Sequence, residues 1–296
     1  MFKKILTLSF LVVLTLSACK NKTDESQNVS LEEKKSNKYD KPIDINYTLW
    51  NLKSNDSLKK VFKNKFTPQE LTTLVSLNGR DKSTIFQADS VIVPDKFEED
   101  FLVYSPFPYQ VTSLKDVNKI ALFSYAIQAY ALYENGNLVK WGPTSMGSKK
   151  HLTPTGLFFT NWKGEEIQSS FDDEWVLKWN FNIENKEGIG WHQYALPGYP
   201  ASHSCLRLLE QDAKWMYDWA SEWVLADKET VKAKGTPVIV FGSYDFSKKG
   251  PWLNLAEDNK SNRISSDILE AEIKKYLPEI LKEQENSILV AQQTTK

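Results

Sequence analysis

Asn135-Gly136 stands between two apolar runs, Ala126 to Tyr133 and Leu138 to Trp141, and commits the middle of this 296-residue chain to a β-hairpin. A tight hairpin turn needs positive φ at both central positions, and Asn-Gly adopts it at the lowest steric cost. Strand-like runs follow at Gly156 to Thr160, Trp175 to Phe181 and Pro237 to Phe241, separated by Gly, Pro and Asn clusters. One helical period interrupts them, from about Glu210 to Val224, with Ala213, Met216, Tyr217 and Ala220 on one face. Residues 116–244 therefore read as a mostly β sandwich or barrel with one helix.

The segment before it, 45–95, has a different pattern. Tyr47 to Trp50 and Ser90 to Pro94 read as strands, and a helical period begins near Ser57. Thr67-Pro68-Gln69-Glu70 is an N-cap followed by proline at the first helical position, so a second helix runs from there towards Asn78-Gly79. This predicts a small α/β module. Its strand-helix-helix-strand order resembles a divergent LysM module, a peptidoglycan-binding unit, although Gln87-Ala88-Asp89 replaces the glycine usual before the last strand. The alternative is an α/β accessory domain of another kind. At the other end, 245–296 reads as a loop and a charged helix, Ser265 to Leu289, with Ile268, Leu269, Ile273, Tyr276 and Leu277 on one side and a break at Pro278.

The chain has only two cysteines, Cys19 and Cys205. Met1-Phe2-Lys3-Lys4 is a basic start, and Ile5 to Leu16 is an apolar run shorter than the ~20 residues that span a bilayer. That is the form of an export signal. Leu16-Ser17-Ala18-Cys19 resembles the bacterial lipobox, which implies that Cys19 is acylated and becomes the mature N-terminus, with a coincidental cysteine in an ordinary signal as the alternative. Residues 20–44 are mostly Lys, Asn, Asp, Glu and Ser, a composition that makes a solvated tether. With Cys19 lipidated no intramolecular disulfide is available, so the 41% hydrophobic content must supply a self-sufficient core. The net charge of −1 gives no argument for nucleic acid.

A single thiol carried into an oxidising compartment points to chemistry. Cys205 lies in Ser202-His203-Ser204-Cys205-Leu206-Arg207, with His192 upstream. Acyl transfer needs a thiolate, a base to make it and donors for the oxyanion. A free cysteine of pKa about 8.5 is mostly protonated at neutral pH, and an adjacent imidazole can lower that value through an ion pair. Arg207 adds fixed positive charge. Either His192 or His203 could serve as the base; His203, at i−2, shares a face with Cys205 only if the segment is extended. Three other readings compete. Zinc would find Cys205, His192 and His203 but lacks a close fourth ligand, with His151 distant in sequence. Cys205 could be an inert buried thiol, and a Ser-His-Asp arrangement would have to use Ser202 or Ser204 beside a better nucleophile. Tryptophans 175, 179, 191, 215 and 219 could line a groove, but Trp215 and Trp219 are expected in the core.

Thr144-Ser145-Met146-Gly147, Thr153 to Phe158, Gly190-Trp191-His192, Ser202 to Leu208, the helix carrying Asp212-Ala213 and Met216-Tyr217, and Gly235-Thr236-Pro237-Val238 occur in the order seen in L,D-transpeptidase (YkuD-like) catalytic domains. The stretch 116–244 resembles that family. The resemblance implies a β-rich fold and a cysteine enzyme without cofactor or metal that acts on peptidoglycan stem peptides in the cell envelope. It also implies Cys205 as nucleophile, His192 as proton acceptor, and His203, Ser202 and Arg207 as residues shaping the site. Backbone N–H groups around Ser204 and Cys205 would hold the oxyanion. Ser204 replaces the glycine usual before the cysteine, where positive φ or close substrate approach would favour glycine. The His192-to-Cys205 spacing is short, which implies a trimmed loop from Gln193 to Ala201 turning at Pro197-Gly198 and Pro200. Transpeptidase, carboxypeptidase and amidase reactions share all these residues, and an inactive wall-binding relative is the non-enzymatic alternative.

Overall fold

The computed structural model describes residues 44–169, 176–248 and 250–294, all within one compact unit. The export signal, Cys19, almost all of the tether, and Trp175 lie outside the described residues. Among those described, no helix is long and apolar enough to cross a membrane.

The described residues begin with β1 (Tyr47–Asn51), α1 (Asp56–Lys65), α2 (Pro68–Leu77) and β2 (Ser90–Pro94), the predicted strand-helix-helix-strand order. β1 and β2 pair antiparallel with Tyr47 opposite Pro94. Side-chain caps set the helix starts. Asn55 accepts from the Leu58 N–H, and Thr67 and Glu70 form a reciprocal capping box around Pro68. Asn78, buried, ends α2: its amide donates to the carbonyls of Leu74 and Ile92 and its oxygen accepts from the Ile92 N–H. One side chain thereby locks the helix end to β2 with its polar atoms satisfied.

The β-rich part follows as β3 (Ile120–Ser124), β4 (Ala129–Glu134), β5 (Asn137–Pro143), β6 (Gly156–Phe159), β7 (Lys163–Gln168), β8 (Val176–Glu184), β9 (Ile189–Gln193), β10 (Leu206–Leu208), α3 (Glu210–Trp219), β11 (Val224–Leu225), β12 (Val231–Ala233) and β13 (Pro237–Phe241). The order β5-β4-β3-β13-β6 makes a five-stranded sheet, β10-β9-β8-β7 a four-stranded one, and β11-β12 a small ribbon. The predicted hairpin joins β4 to β5, with φ of 47° at Asn135 and 77° at Gly136. Two cores explain the layering. Ala121, Phe123, Tyr130, Leu132, Val238 and Val240 face the four-stranded sheet and α3, meeting Phe181, Trp191, Leu206 and Met216. Ile120, Leu122, Ala131, Tyr133, Ile239 and Phe241 face the other way, onto Trp252 and the C-terminal α4 (Ser266–Lys274) and α5 (Leu277–Thr294). The C-terminal helix is thus split before Pro278, as that residue demands.

Three local expectations change. α3 stops at Trp219 instead of running to Val224, because Ala220 is extended and the next N–H groups find partners elsewhere: Ser221 donates to Thr236 Oγ1 and Trp223 to the Asn161 carbonyl. Trp215 is not core; it is 39% exposed, stacked on Trp219 with the Lys140 ammonium 5.6 Å from its ring. Ile268 faces solvent while Leu269 and Ile273, on the adjoining stripe, are fully buried. α3 is pinned to β5 by an ion pair between Lys140 and buried Asp212 at 2.8 Å.

Candidate active site

Cys205 sits immediately before β10, which runs parallel to β9 with Arg207 opposite His192 and Leu206 opposite Trp191. One residue back along that register Cys205 comes beside Gly190, whose backbone N–H pulls the thiol pKa down. Gly190 has to be glycine, since a Cβ there would lie 2.4 Å from the Phe181 carbonyl of β8. Parallel pairing is what draws a histidine and a cysteine distant in sequence to one end of the sheet.

A second segment cradles the cysteine loop. The N–H groups of Ser145 and Arg207 donate reciprocally to each other's carbonyls at 3.1 Å, and Thr144 Oγ1 donates to the Arg207 carbonyl at 2.8 Å. The Ser202 N–H donates to the Met146 carbonyl at 3.1 Å and the Ser148 N–H to the Ser202 carbonyl at 2.9 Å. Thr153 Oγ1 donates to the Ser204 carbonyl at 2.7 Å while accepting from the Gly147 N–H at 2.9 Å. Ser202 Oγ donates to the carbonyl of Cys205 itself. The motifs around Thr144 and Thr153 are therefore scaffolding for the cysteine segment.

Cys205, His192, His203, Ser202 and Arg207 line one cavity of about 190 Å³, together with Trp162, Ile167, Leu177 and Asn180. His192 is buried and its Nδ1 lies 3.0 Å from the Gln193 carbonyl. That acceptor selects the tautomer with the proton on Nδ1 and leaves the Nε2 lone pair available. Burial, with Arg207 as a smaller contribution, lowers the His192 pKa to about 4. Burial also pushes the half-buried Cys205 thiol up, against the opposing pull of the Gly190 N–H and Arg207. The thiol donates towards the Gly188 carbonyl, 3.9 Å away. Desolvation thus disfavours both charged forms, thiolate and imidazolium, and works against the ion pair that the residue types suggest.

His192 also ties acid stability to the site. The unfolded chain takes up a proton near pH 6.5, whereas the folded histidine stays neutral until about pH 4. The folded state binds fewer protons between those values, so the contribution is intact above pH 6.5 and is lost as pH falls towards 4. A gap of that size corresponds to about 3 kcal/mol. Urea denaturation at several pH values should show a His192→Asn chain losing less stability than the native one over that window, by about this amount.

The Ser202–Cys205 segment is bent, so the alternation that would put His203 beside Cys205 is broken. His203 instead packs its ring on His151, with centroids 4.6 Å apart. Ser204 has φ of 90°, the conformation for which glycine is the natural residue. Holding serine there costs about 1–3 kcal/mol, and glycine's looser unfolded state returns part of it. Ser204→Gly should therefore raise stability by about 1 kcal/mol in urea denaturation.

Tyr194 escaped the sequence reading. The Arg207 guanidinium lies 4.5 Å from its ring centroid and His192 meets the same ring edge-on. It stands two residues beyond His192 at the end of β9, so strand periodicity was the signal that could have found it. Among the described residues no three His, Cys, Asp or Glu side chains cluster as metal ligands do.

Residues 119–240 match the L,D-transpeptidase catalytic domain family, YkuD. Every cavity residue named above lies inside that L,D-transpeptidase match. Among solved structures, the chain is similar to an L,D-transpeptidase from Stackebrandtia nassauensis, with 22% identity over 43% of this chain and 57% of that one and a TM-score of 0.34. An L,D-transpeptidase from Mycobacterium smegmatis gives 19% identity, 43% and 59% coverage and a TM-score of 0.34. One from Mycobacterium tuberculosis gives 21%, 43%, 58% and 0.33. The aligned part spans less than two thirds of each of these chains. No curated protein matches.

Proposed function

We propose that this protein is a peptidoglycan L,D-transpeptidase that works by cysteine acyl transfer in the cell envelope. The observation that carries the reading is the shared cavity of Cys205 and a buried, neutral His192 whose Nδ1 is turned to the Gln193 carbonyl. In the first step Cys205 Sγ attacks the carbonyl of the third stem residue while its proton passes to His192 Nε2. The oxyanion is held by backbone N–H groups at Ser204 and Cys205. Collapse expels the terminal D-amino acid, whose amine takes the proton back from His192, and leaves a thioester. The amine of a neighbouring stem then attacks that thioester, gives a proton to His192, and forms the new amide as the proton returns to the departing sulfur. Arg207 and Ser202 shape the cavity, and His203 borders it.

The same reading places the enzyme at a membrane through a lipid on Cys19, with residues 20–44 as tether, a unit at 45–95 able to meet glycan strands, the catalytic domain at 116–244 and a helical end at 245–296. Incubating the chain from Ser30 onward with disaccharide-tetrapeptide and weighing the products tests the reaction. Cross-linked dimers are the expected product. Tripeptide with free D-alanine would reassign the protein as an L,D-carboxypeptidase, and release of a partner from cross-linked material would make it an amidase. Unchanged substrate with intact binding to sacculi would leave a wall-binding lipoprotein.

A further inference from the structure

Leu196, in the loop between β9 and Cys205, is fully buried, yet its neighbours belong to the first part of the chain. It joins the core made by Leu52, Phe62, Leu74, Ile85 and Val91. Leu209, just past β10, enters that same core. Two apolar side chains that bracket Cys205 in sequence are thus inserted into the N-terminal α/β unit. The backbone of Leu196 is clasped as well. Its N–H donates to Asp81 Oδ2 at 2.6 Å, while its carbonyl accepts from Thr84 Oγ1 at 2.6 Å and from the Asp81 N–H at 3.4 Å. Arg80 and Pro197 add a bridge. Asp81 is itself held rigid, because its other oxygen accepts from the N–H groups of Ser83 and Thr84.

Beyond Leu196 the loop is fixed at its far end by Ser145, whose hydroxyl donates to the Tyr199 carbonyl and accepts from the Ala201 N–H. The segment carrying Cys205 therefore hangs between two supports, one in the β5–β6 connection and one in the N-terminal unit. A support matters here because a displacement of about 1 Å at a reacting atom can cost about 10²-fold in rate. With Ser204 at positive φ, the local backbone does not favour its own conformation.

We propose that the N-terminal unit is a positioning element of the active site, and that Asp81 and Leu196 are positioning residues for Cys205. This rests on the reading of Cys205 as the nucleophile. Full-length protein in detergent is treated with a carbapenem, and the rate of acylation at Cys205 is followed by intact mass. Hydrogen exchange of the 194–208 peptides is read in the same samples. Asp81→Ala should slow acylation about tenfold and speed exchange in those peptides by a similar factor. Asp81→Asn has one acceptor oxygen for two sets of donors, Leu196 on one side and Ser83 with Thr84 on the other, and should restore only part of both. Phe97→Ala removes a ring that packs on Phe66 at the edge of the same core, away from Leu196, and should move neither. Native acylation or native exchange in Asp81→Ala overturns the proposal, as does equal slowing in Phe97→Ala, which would mean general destabilisation. A native protein that takes up no acyl group overturns instead the nucleophile reading on which the proposal rests, and the exchange data then show separately whether the clasp exists.

Discussion

A Cys205→Ala chain should gain no mass on incubation with a carbapenem and should yield no product from a tetrapeptide stem, a loss of at least about 10⁴-fold against the native protein. The cavity holds Ser202, His203 and Arg207, but none replaces a thiolate: Ser202 Oγ is committed to the Cys205 carbonyl, and Arg207 lies over Tyr194. The substitution removes a half-buried side chain at the cavity wall, so thermal unfolding should move little. Turnover that survived in Cys205→Ala would put the chemistry elsewhere in the chain.

His192→Ala should lower the acylation rate at pH 7 about 10³-fold, within the usual range for loss of a general base. The pH dependence separates this from simple damage. Burial holds the Cys205 thiol above its ordinary pKa, so without a base very little thiolate exists at neutral pH. Raising the pH supplies the thiolate directly, and the deficit of His192→Ala should therefore shrink steadily towards pH 10. A structural defect would leave the same ratio at every pH. Iodoacetamide alkylation of both chains across that range, read by mass, provides the comparison.

Local chemistry made much of this molecule legible. The Asn135-Gly136 turn, the Thr67 cap and the break at Pro278 each follow from backbone preferences that need no tertiary partner. The grouping around the cysteine was legible too, since His192, His203, Ser202 and Arg207 do share a cavity with Cys205. What stayed hidden depends on the rest of the fold. β3 is buried on both faces, so Ile120 to Phe123 form a continuous apolar run without the alternation that marks a half-exposed strand. The end of α3 is decided by hydrogen bonds to Thr236 and Asn161, which no helical period reveals. The pull of Cys205 and His192 towards their neutral forms comes from desolvation, a property of the packed cavity and not of either residue. Leu196 looked like one apolar residue in a turn-rich loop; its insertion into the N-terminal core can be seen only in three dimensions.

The central pairing of the five-stranded sheet joins the earliest strand of the β-rich part to the last, β3 to β13, with Ala121 opposite Val238. That contact sets an order on assembly. As the chain is delivered N-terminus first, β3 and β4 can zip into a hairpin, but the flank of β3 that will receive β13 stays open until Phe241 arrives. An open flank of this kind, in a strand buried on both faces, is a template for pairing with another chain. Folding is therefore dominated by long-range closure and should be slow for a chain of this size. Any fragment cut before Pro237, however complete its set of reactive residues, would expose the centre of its sheet as a sticky edge.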